Sequence, residues 1–267
     1  MTEARIFRER HLGEVFIVTG AGSGIGAAAA RRLALEGAAV TVADVRGATA
    51  QAVADEIAAA GGQALAVTCD VSREADVAEM VQASQARFGK LSGLFANAGT
   101  AGRGWIHETA LEDWQRVLSV NLNGPFLCAK HVLPHLLAAG KGVIVTTGSI
   151  ASVVIGGAGS AASYAASKGG VLQLTRQIAV DYGPQGIRAA CVCPGAVRSN
   201  MGANASEDRQ RDATPASTPL PRAPHWTPMQ RASSPDEIAA VVSFLLSDEA
   251  SFITGSAVFA DGGLLAI

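Results

Sequence analysis

The sequence predicts an α/β protein, a doubly wound Rossmann-like parallel sheet of about seven strands with helices on both faces. Three observations carry that prediction. Short continuous apolar runs alternate with longer helical patterns along the chain, which implies right-handed βαβ crossovers and strands buried on both sides. The first run leads directly into Thr19-Gly20-Ala21-Gly22-Ser23-Gly24-Ile25-Gly26, a glycine turn between strand and helix, the context that a dinucleotide cradle requires. No internal repeat or second apolar-periodic block appears, so residues 1–267 read as a single domain.

The elements follow in order. Residues 15–19 are an apolar run suited to a buried parallel strand. Gly24 to Glu36 is an Ala-rich helix closed by Gly37. Ala38 to Ala43 is the second strand and terminates at Asp44. A helix over 48–60, a strand over 63–68 ending in Cys69-Asp70-Val71, and a helix over 73–88 continue the alternation. A strand over 91–96 runs into Asn97-Ala98-Gly99, and helices near 110–122 and 123–139 follow. Gly142 to Thr147 is the fifth strand, Ser163 to Tyr182 a long helix, and Ile187 to Cys193 the sixth strand. Strand alternation puts Cys191 and Cys193 on one face. Ser234-Pro235-Asp236-Glu237 is a capping box with proline at the first helical position. It opens a helix whose apolar face is Ile238, Val241, Val242, Leu245 and Leu246, and Ala257 to Ala260 completes the strands. The composition shifts at 199–233, where Pro215, Pro219, Pro221, Pro224 and Pro228 interrupt a polar stretch. At the carboxyl end of strand six it is expected to form a substrate lid, with Met201, Leu220, Trp226 and Met229 to cover a ligand.

Composition narrows the function. Apolar residues make up 49% of the chain, and 21 basic residues against 23 acidic ones leave a net charge of −2. With no Lys/Arg run, nucleic acid is not an expected partner. The N-terminus is charged throughout, no stretch approaches a membrane span, and the four cysteines show no framework spacing, so the expectation is a cytoplasmic, reduced protein. His131 and His135 stand at i, i+4, but zinc would need a third ligand and Pro134 lies between them. They read as helix-surface or interface histidines, with no metal expected.

The chemistry lies further on. Tyr164 and Lys168 are four residues apart in Ser163-Tyr164-Ala165-Ala166-Ser167-Lys168, and Ser149 stands fifteen residues before the tyrosine. On a helix, i and i+4 share a face. An ammonium beside a phenol favours the phenolate, and such a group can give or take the proton that accompanies a hydride. Together with the glycine turn, the trio points to hydride transfer.

Thr-Gly-x-x-x-Gly-x-Gly, Asn97-Ala98-Gly99, Asn121, Ser149, Tyr164-x-x-x-Lys168 and Pro194-Gly195 occur in the order and spacing of one family. The chain resembles the short-chain dehydrogenase/reductase family in its short, single-domain type, over nearly its whole length. The resemblance implies that Tyr164 is the general acid or base, that Lys168 tunes it and holds the nicotinamide ribose, and that Ser149 hydrogen-bonds the substrate oxygen. It implies that Asn121 anchors a water leading from Lys168 to solvent, although an Asx-type brace is an equally good reading of that residue. Gly20, Ser23, Gly24, Ile25 and Gly26 would cradle the pyrophosphate, Asp70 and Val71 would flank the adenine, and Asn97, Ala98 and Gly99 would shape the wall beside the cofactor. Pro194, Gly195, Val197 and Ser199 would line the nicotinamide.

Asp44, ending strand two, could accept bonds from the adenosine ribose hydroxyls, and a 2′-phosphate there would meet like charge. NAD is therefore the expected cofactor and NADP the lesser one. Arg46 is the counter-signal. The substrate implied is a small secondary alcohol or ketone, and the assembly a homotetramer, with Leu264 to Ile267 as a candidate interface. The rival readings are a 3-oxoacyl-carrier-protein reductase using NADPH and a catalytically silent nucleotide-binding regulator. Two departures from the family pattern are present. The serine-to-tyrosine gap is longer than usual, which leaves Ser152 as the fallback for Ser149, and Cys193 replaces the asparagine common before Pro-Gly.

Overall fold

Seven strands pair in the order β3-β2-β1-β4-β5-β6-β7, all parallel. The computed structural model describes residues 6–102, 104–155, 162–198 and 227–266. The strands are β1 (Val15–Thr19), β2 (Ala39–Asp44), β3 (Gln63–Thr68), β4 (Gly93–Ala96), β5 (Gly142–Thr147), β6 (Ile187–Pro194) and β7 (Ser256–Ala260). The helices among the described residues are α1 (Gly24–Leu35), α2 (Gly47–Ala59), α3 (Glu74–Phe88), α4 (Leu111–Leu118), α5 (Gly124–Ala139), α6 (Ala162–Tyr182) and α7 (Pro235–Leu246).

Side-chain alternation along each strand divides the core into two layers. Phe16, Val18, Val40, Val42, Val143 and Val145 face α1, α2 and α7. Val15, Ile17, Leu94, Ile144, Ile187 and Ala189 face α3, α5 and α6. Burial on both faces explains why these strands read as unbroken apolar runs. The predicted capping box at Ser234 forms: its hydroxyl accepts from Glu237 N at 3.3 Å, and the Glu237 carboxylate accepts from Ser234 N at 2.9 Å. Among the described residues no helix is long and apolar enough to cross a membrane.

Two element boundaries differ from the sequence expectation. The predicted strand over 91–96 is trimmed to Gly93–Ala96. The helix expected over 110–122 ends at Leu118 and passes into a π-helical turn, Ser119–Asn123. Such turns widen the backbone and are frequent at functional sites. Here the wide turn carries Asn121.

Candidate active site

The chain leaves β3, crosses β1 and enters β4, so the carboxyl ends of β1 and β4 flank the crevice where the strand order reverses. The glycine turn follows β1 there. Gly20 has φ +62°, and a Cβ on it would lie 2.8 Å from the Cα of Ala98, so the turn and the Asn97-Ala98-Gly99 segment are in backbone contact. Asn97 ties three strand ends together. Its Nδ2 donates to Thr19 O at 3.0 Å and to Gly20 O at 3.3 Å, while its Oδ1 accepts from Thr147 Oγ1 at 3.2 Å. Thr19 Oγ1 accepts from the backbone N–H of both Asn97 and Ala98. Ser23 stands at the N-cap of α1 in extended conformation, and its side chain caps none of the N–H groups of the first turn. A helix start left in this state favours an anion.

Asp44 closes the other side of the turn and is only 6% exposed. Its Oδ2 accepts from Gly22 N at 2.9 Å and its Oδ1 from Arg46 N at 3.0 Å. The Arg46 guanidinium lies over both elements, Nε 3.8 Å from Asp44 Oδ1 and Nη2 donating to Ser23 Oγ at 3.4 Å. Asp70 caps its own turn, its Oδ1 accepting from Ser72 N and from Ser72 Oγ. Val71 is buried against Gly124.

Helix α6 brings Tyr164 and Lys168 to this crevice. Lys168 is 2% exposed, and its Nζ donates to Thr147 O at the end of β5 at 2.7 Å. The same Nζ lies 5.6 Å from the centroid of the Tyr164 ring. Gly99 approaches from β4: a Cβ built there would be 3.7 Å from Lys168 Nζ and 3.4 Å from Asn121 Oδ1. Asn121 is fully buried, its Oδ1 accepting from Thr100 N at 2.7 Å and its Nδ2 donating to Thr100 O at 3.0 Å and to Ser167 Oγ at 3.1 Å. Its side chain is thus a long-range brace, joining the loop after β4 to α6, and not the local Asx-type bond at a helix start.

The two candidate serines are separated by their bonds. Ser149 follows β5 and caps the single turn Ile150–Ser152, its Oγ accepting from Ala151 N at 3.1 Å. Ser152 Oγ accepts from Ser149 N at 3.2 Å and donates to Lys168 O at 2.8 Å. A serine hydroxyl has one proton to give. Ser152 has committed its proton to α6, whereas Ser149 gives its proton to no described residue.

The end of β6 forms the far wall. Gly195 N donates to Ala260 O at 3.1 Å, and a Cβ on Gly195 would lie 2.8 Å from Asp261 Cα. Val197 bridges to Ser233, while Arg198 N and Ser233 N exchange backbone bonds with Ser233 O and Ala196 O. Ser199 and the greater part of the expected lid, 199–226, lie outside the described residues. Its last residues are packed: Thr227 is buried and Met229 N donates to Gly262 O at 3.2 Å. The His131 Nε2 lies 3.1 Å from Glu74 Oε1 on the helix surface. Thr147 and Ser167 were not singled out from sequence as parts of the site, and Ser152 only as the fallback for Ser149. Hydrogen bonds between distant elements leave no spacing signature.

Comparison with known proteins fits this arrangement. A family model described as enoyl-(acyl carrier protein) reductase matches residues 20–265. The meso-2,3-butanediol dehydrogenase of Serratia marcescens is 41% identical, covering 95% of each chain. The cis-4-hydroxycyclohexanecarboxylate dehydrogenase of Sinomonas cyclohexanicum is 42% identical, covering 96% of this chain and 100% of its own. A crystal structure of a short-chain type dehydrogenase/reductase from Mycobacterium marinum superposes with a TM-score of 0.86 at 31% identity, covering 96% of this chain and 97% of that one. The class is therefore that of the Rossmann-fold oxidoreductases. Within it, the chain belongs to the short-chain dehydrogenase/reductase family.

Proposed function

We propose that the chain is an NAD-preferring dehydrogenase that interconverts a secondary alcohol and its ketone. The observation that carries this reading is the Tyr164–Lys168 pair on α6, which is tied to the turn of Ser149 through the Ser152–Lys168 bond, together with a Ser149 hydroxyl whose proton goes to no described residue. The crevice fits a dinucleotide: the uncapped start of α1 suits a pyrophosphate, and the turn at Gly20 leaves no room for a Cβ. The nicotinamide, when bound, supplies or accepts the hydride. Ser149 holds the substrate oxygen by donating its hydroxyl proton, and Tyr164 passes a proton to or from the same oxygen. One of the three N–H donors of Lys168 is fixed on Thr147 O, leaving the others for the phenol and the ribose hydroxyls.

The substrate class follows from the surroundings. Val153, Val154 and Ile155 are exposed apolar side chains directly beyond the Ser149–Ser152 turn, and such a wall suits a hydrocarbon body bearing a hydroxyl. Two relatives are named for a diol and for a cyclic hydroxy acid. NAD is preferred because the Asp44 carboxylate occupies the place a 2′-phosphate would approach, a repulsion on the order of a few kcal/mol. Arg46 offsets part of it. The carrier-protein reading has weaker support, since Lys141, the one basic residue where such a carrier would dock, lies 3.7 Å from Glu14 Oε1. Homotetrameric assembly in the cytoplasm belongs to the proposal; the edge strand β7 leaves Phe259 39% exposed on one of its sides.

The test uses a panel of secondary alcohols and ketones with NAD and NADP, for the parent and Tyr164→Phe. The substitution should lower turnover by at least about 10²-fold, the usual worth of a positioned acid or base, with NAD affinity by calorimetry unchanged. Turnover within a few-fold of the parent refutes the role of Tyr164, and equal kcat/KM with both cofactors refutes the NAD preference.

A further inference from the structure

We propose that Cys191 and Cys193 form a dithiol site for trivalent arsenic, taken up as arsenite, beneath the turn that carries Ser149. The two residues stand at i, i+2 on β6 and point to the same face, with Sγ atoms 3.7 Å apart. They are 0% exposed, among Val171 and Leu172 of α6, Leu122 and Ala257. Their roof is Gly148: a Cβ built there would lie 2.6 Å from Cys191 Sγ, 2.8 Å from Cys193 Sγ and 3.0 Å from Ser152 Oγ. The hydride and proton steps assigned above use neither thiol.

The strand itself selects the ligand. Residues i and i+2 of a strand have Cα atoms about 6.6 Å apart, at the upper limit for a disulfide, whose usual separation is about 5.5–6 Å. A direct S–S bond would buckle β6 between its two neighbours. A single atom bridging the sulfurs spans the distance without drawing the strand in. Among the described residues no group of three or more His, Cys, Asp or Glu side chains could hold a metal ion. That disfavours zinc, which takes four ligands in closed sites, and fits a soft trivalent centre that binds two thiolates and keeps one hydroxide. Arsenite is uncharged near neutral pH, so its entry into an apolar site avoids the desolvation of an ion. The hydrogen bond from Cys193 pulls the Cys191 thiol below its ordinary pKa, with the Lys168 ammonium acting in the same direction, while Cys193 is pushed up by the same partnership. One proton of the pair is therefore the readier to leave.

The step balances without electron transfer. Two S–As bonds form and two As–O bonds break. Each departing hydroxide leaves as water with one thiol proton, and arsenic remains trivalent. The bridging atom needs space that Gly148 now fills, so the turn must lift. Lifting it displaces Ser149 and breaks the Ser152–Lys168 bond. This consequence for turnover rests on the proposed dehydrogenase reading; the binding does not.

The native full-length chain is incubated with arsenite, desalted, and its arsenic content measured by elemental mass spectrometry alongside turnover. The expected result is one arsenic per chain, removed by a dithiol such as dimercaptosuccinate and not by an equivalent monothiol, with at least about tenfold loss of turnover at full loading. Cys191→Ala and Cys193→Ala, verified as folded by circular dichroism, should take up none, and Cys193→Val serves where alanine unfolds the strand. The Cys69→Ala/Cys128→Ala double variant should load like the parent. Arsenic retained by folded Cys191 or Cys193 variants overturns the proposal, as does a native chain that takes up none while the unfolded chain does. A chain without any dehydrogenase activity that still loads stoichiometrically would refute the functional reading and leave the site standing.

Discussion

Replacing each of the two serines in the turn after β5 by alanine separates chemistry from scaffolding. Ser152→Ala loses two bonds, the donation to Lys168 O at 2.8 Å and the acceptance from Ser149 N at 3.2 Å. At about 0.5–1.5 kcal/mol net for each bond, the loss is about 1–3 kcal/mol. For a domain of this size that lowers Tm by about 2–10 °C. Among the described residues Ser149→Ala loses the acceptance from Ala151 N at 3.1 Å, a cap contribution of about 1 kcal/mol. Its effect should fall instead on turnover, because the hydroxyl proton it can offer to the substrate oxygen is gone, a loss of about 10²–10³ in kcat. Ser152→Ala should keep turnover within about tenfold of the parent, since it only positions Ser149 and α6. The assay is kcat and KM for the best alcohol from the panel, paired with thermal unfolding of the same preparations. Near-complete loss of turnover in Ser152→Ala at unchanged Tm, with Ser149→Ala within a few-fold of the parent, would refute the assignment and make Ser152 the catalytic serine.

Other perturbations give distinct readouts. Lys168→Ala should lower kcat and weaken NAD binding together, and also lower Tm, because Thr147 O loses its buried donor at a cost of about 1–3 kcal/mol; a purely kinetic effect would contradict the geometry. Gly20→Ala combines a left-handed backbone, about 1–2 kcal/mol for a residue with a Cβ, with a Cβ 2.8 Å from a backbone atom of Ala98; urea unfolding should show a loss of about 2–5 kcal/mol, and parental stability would refute the reading of the turn. His11, buried against Glu36, Arg10, Glu14 and Ser243, has its pKa lowered from 6.5 to about 4 by burial, with Glu36 opposing. Above pH 6.5 neither state binds its proton; between 6.5 and 4 only the unfolded chain does, so stability falls with pH across that window by about 3 kcal/mol. Urea midpoints from pH 7 to 4.5 should lose this slope in His11→Gln, and identical slopes would refute it. Dialysis against EDTA should leave turnover unchanged; a loss restored by zinc would return His131 and His135 to consideration.

The strands were legible because a parallel sheet covered on both faces has no polar side to interrupt its apolar runs, as Val15 to Val18 and Ala39 to Ala43 show. Tyr164 and Lys168 were legible as a pair because helical spacing puts i and i+4 on one face of α6, whereas Ser149 reaches the same crevice from the turn after β5. The π-helical turn at Ser119–Asn123 was not legible. It carries the clamp of the Asn121 amide on both backbone groups of Thr100, a contact between separate elements with no mark in the periodicity of 110–122. Arg46 was visible as a charge beside Asp44, but only the geometry shows its guanidinium resting on Ser23 Oγ, against the very turn that would hold the pyrophosphate. The lid expected over 199–233 illustrates a different limit: proline content locates a segment, while the fixing of 227–233 depends on partners such as Gly262, far along the chain.

The site lies where strand backbones run out of sheet partners, and this explains which substitutions will give interpretable kinetics. At the ends of β1, β4 and β5 the orphan groups are satisfied by side chains: Asn97 serves Thr19 O and Gly20 O, Thr19 Oγ1 serves two N–H groups, and Lys168 serves Thr147 O. Each such group is both wall and scaffold. Removing it leaves a buried polar partner unpaired, so stability and function fall together. Ser149 and Tyr164 differ, because neither hydroxyl proton is given to another described residue. The chain holds these two in place through their backbones, the turn capped at Ser149 and the α6 carbonyl that accepts from Ser167 Oγ at 2.7 Å. Their hydroxyl protons, given to no described residue, are the ones the proposed mechanism uses. A clean split between kcat and Tm is therefore expected at Ser149 and Tyr164 and nowhere else along the wall formed by Thr19, Asn97, Thr147 and Lys168.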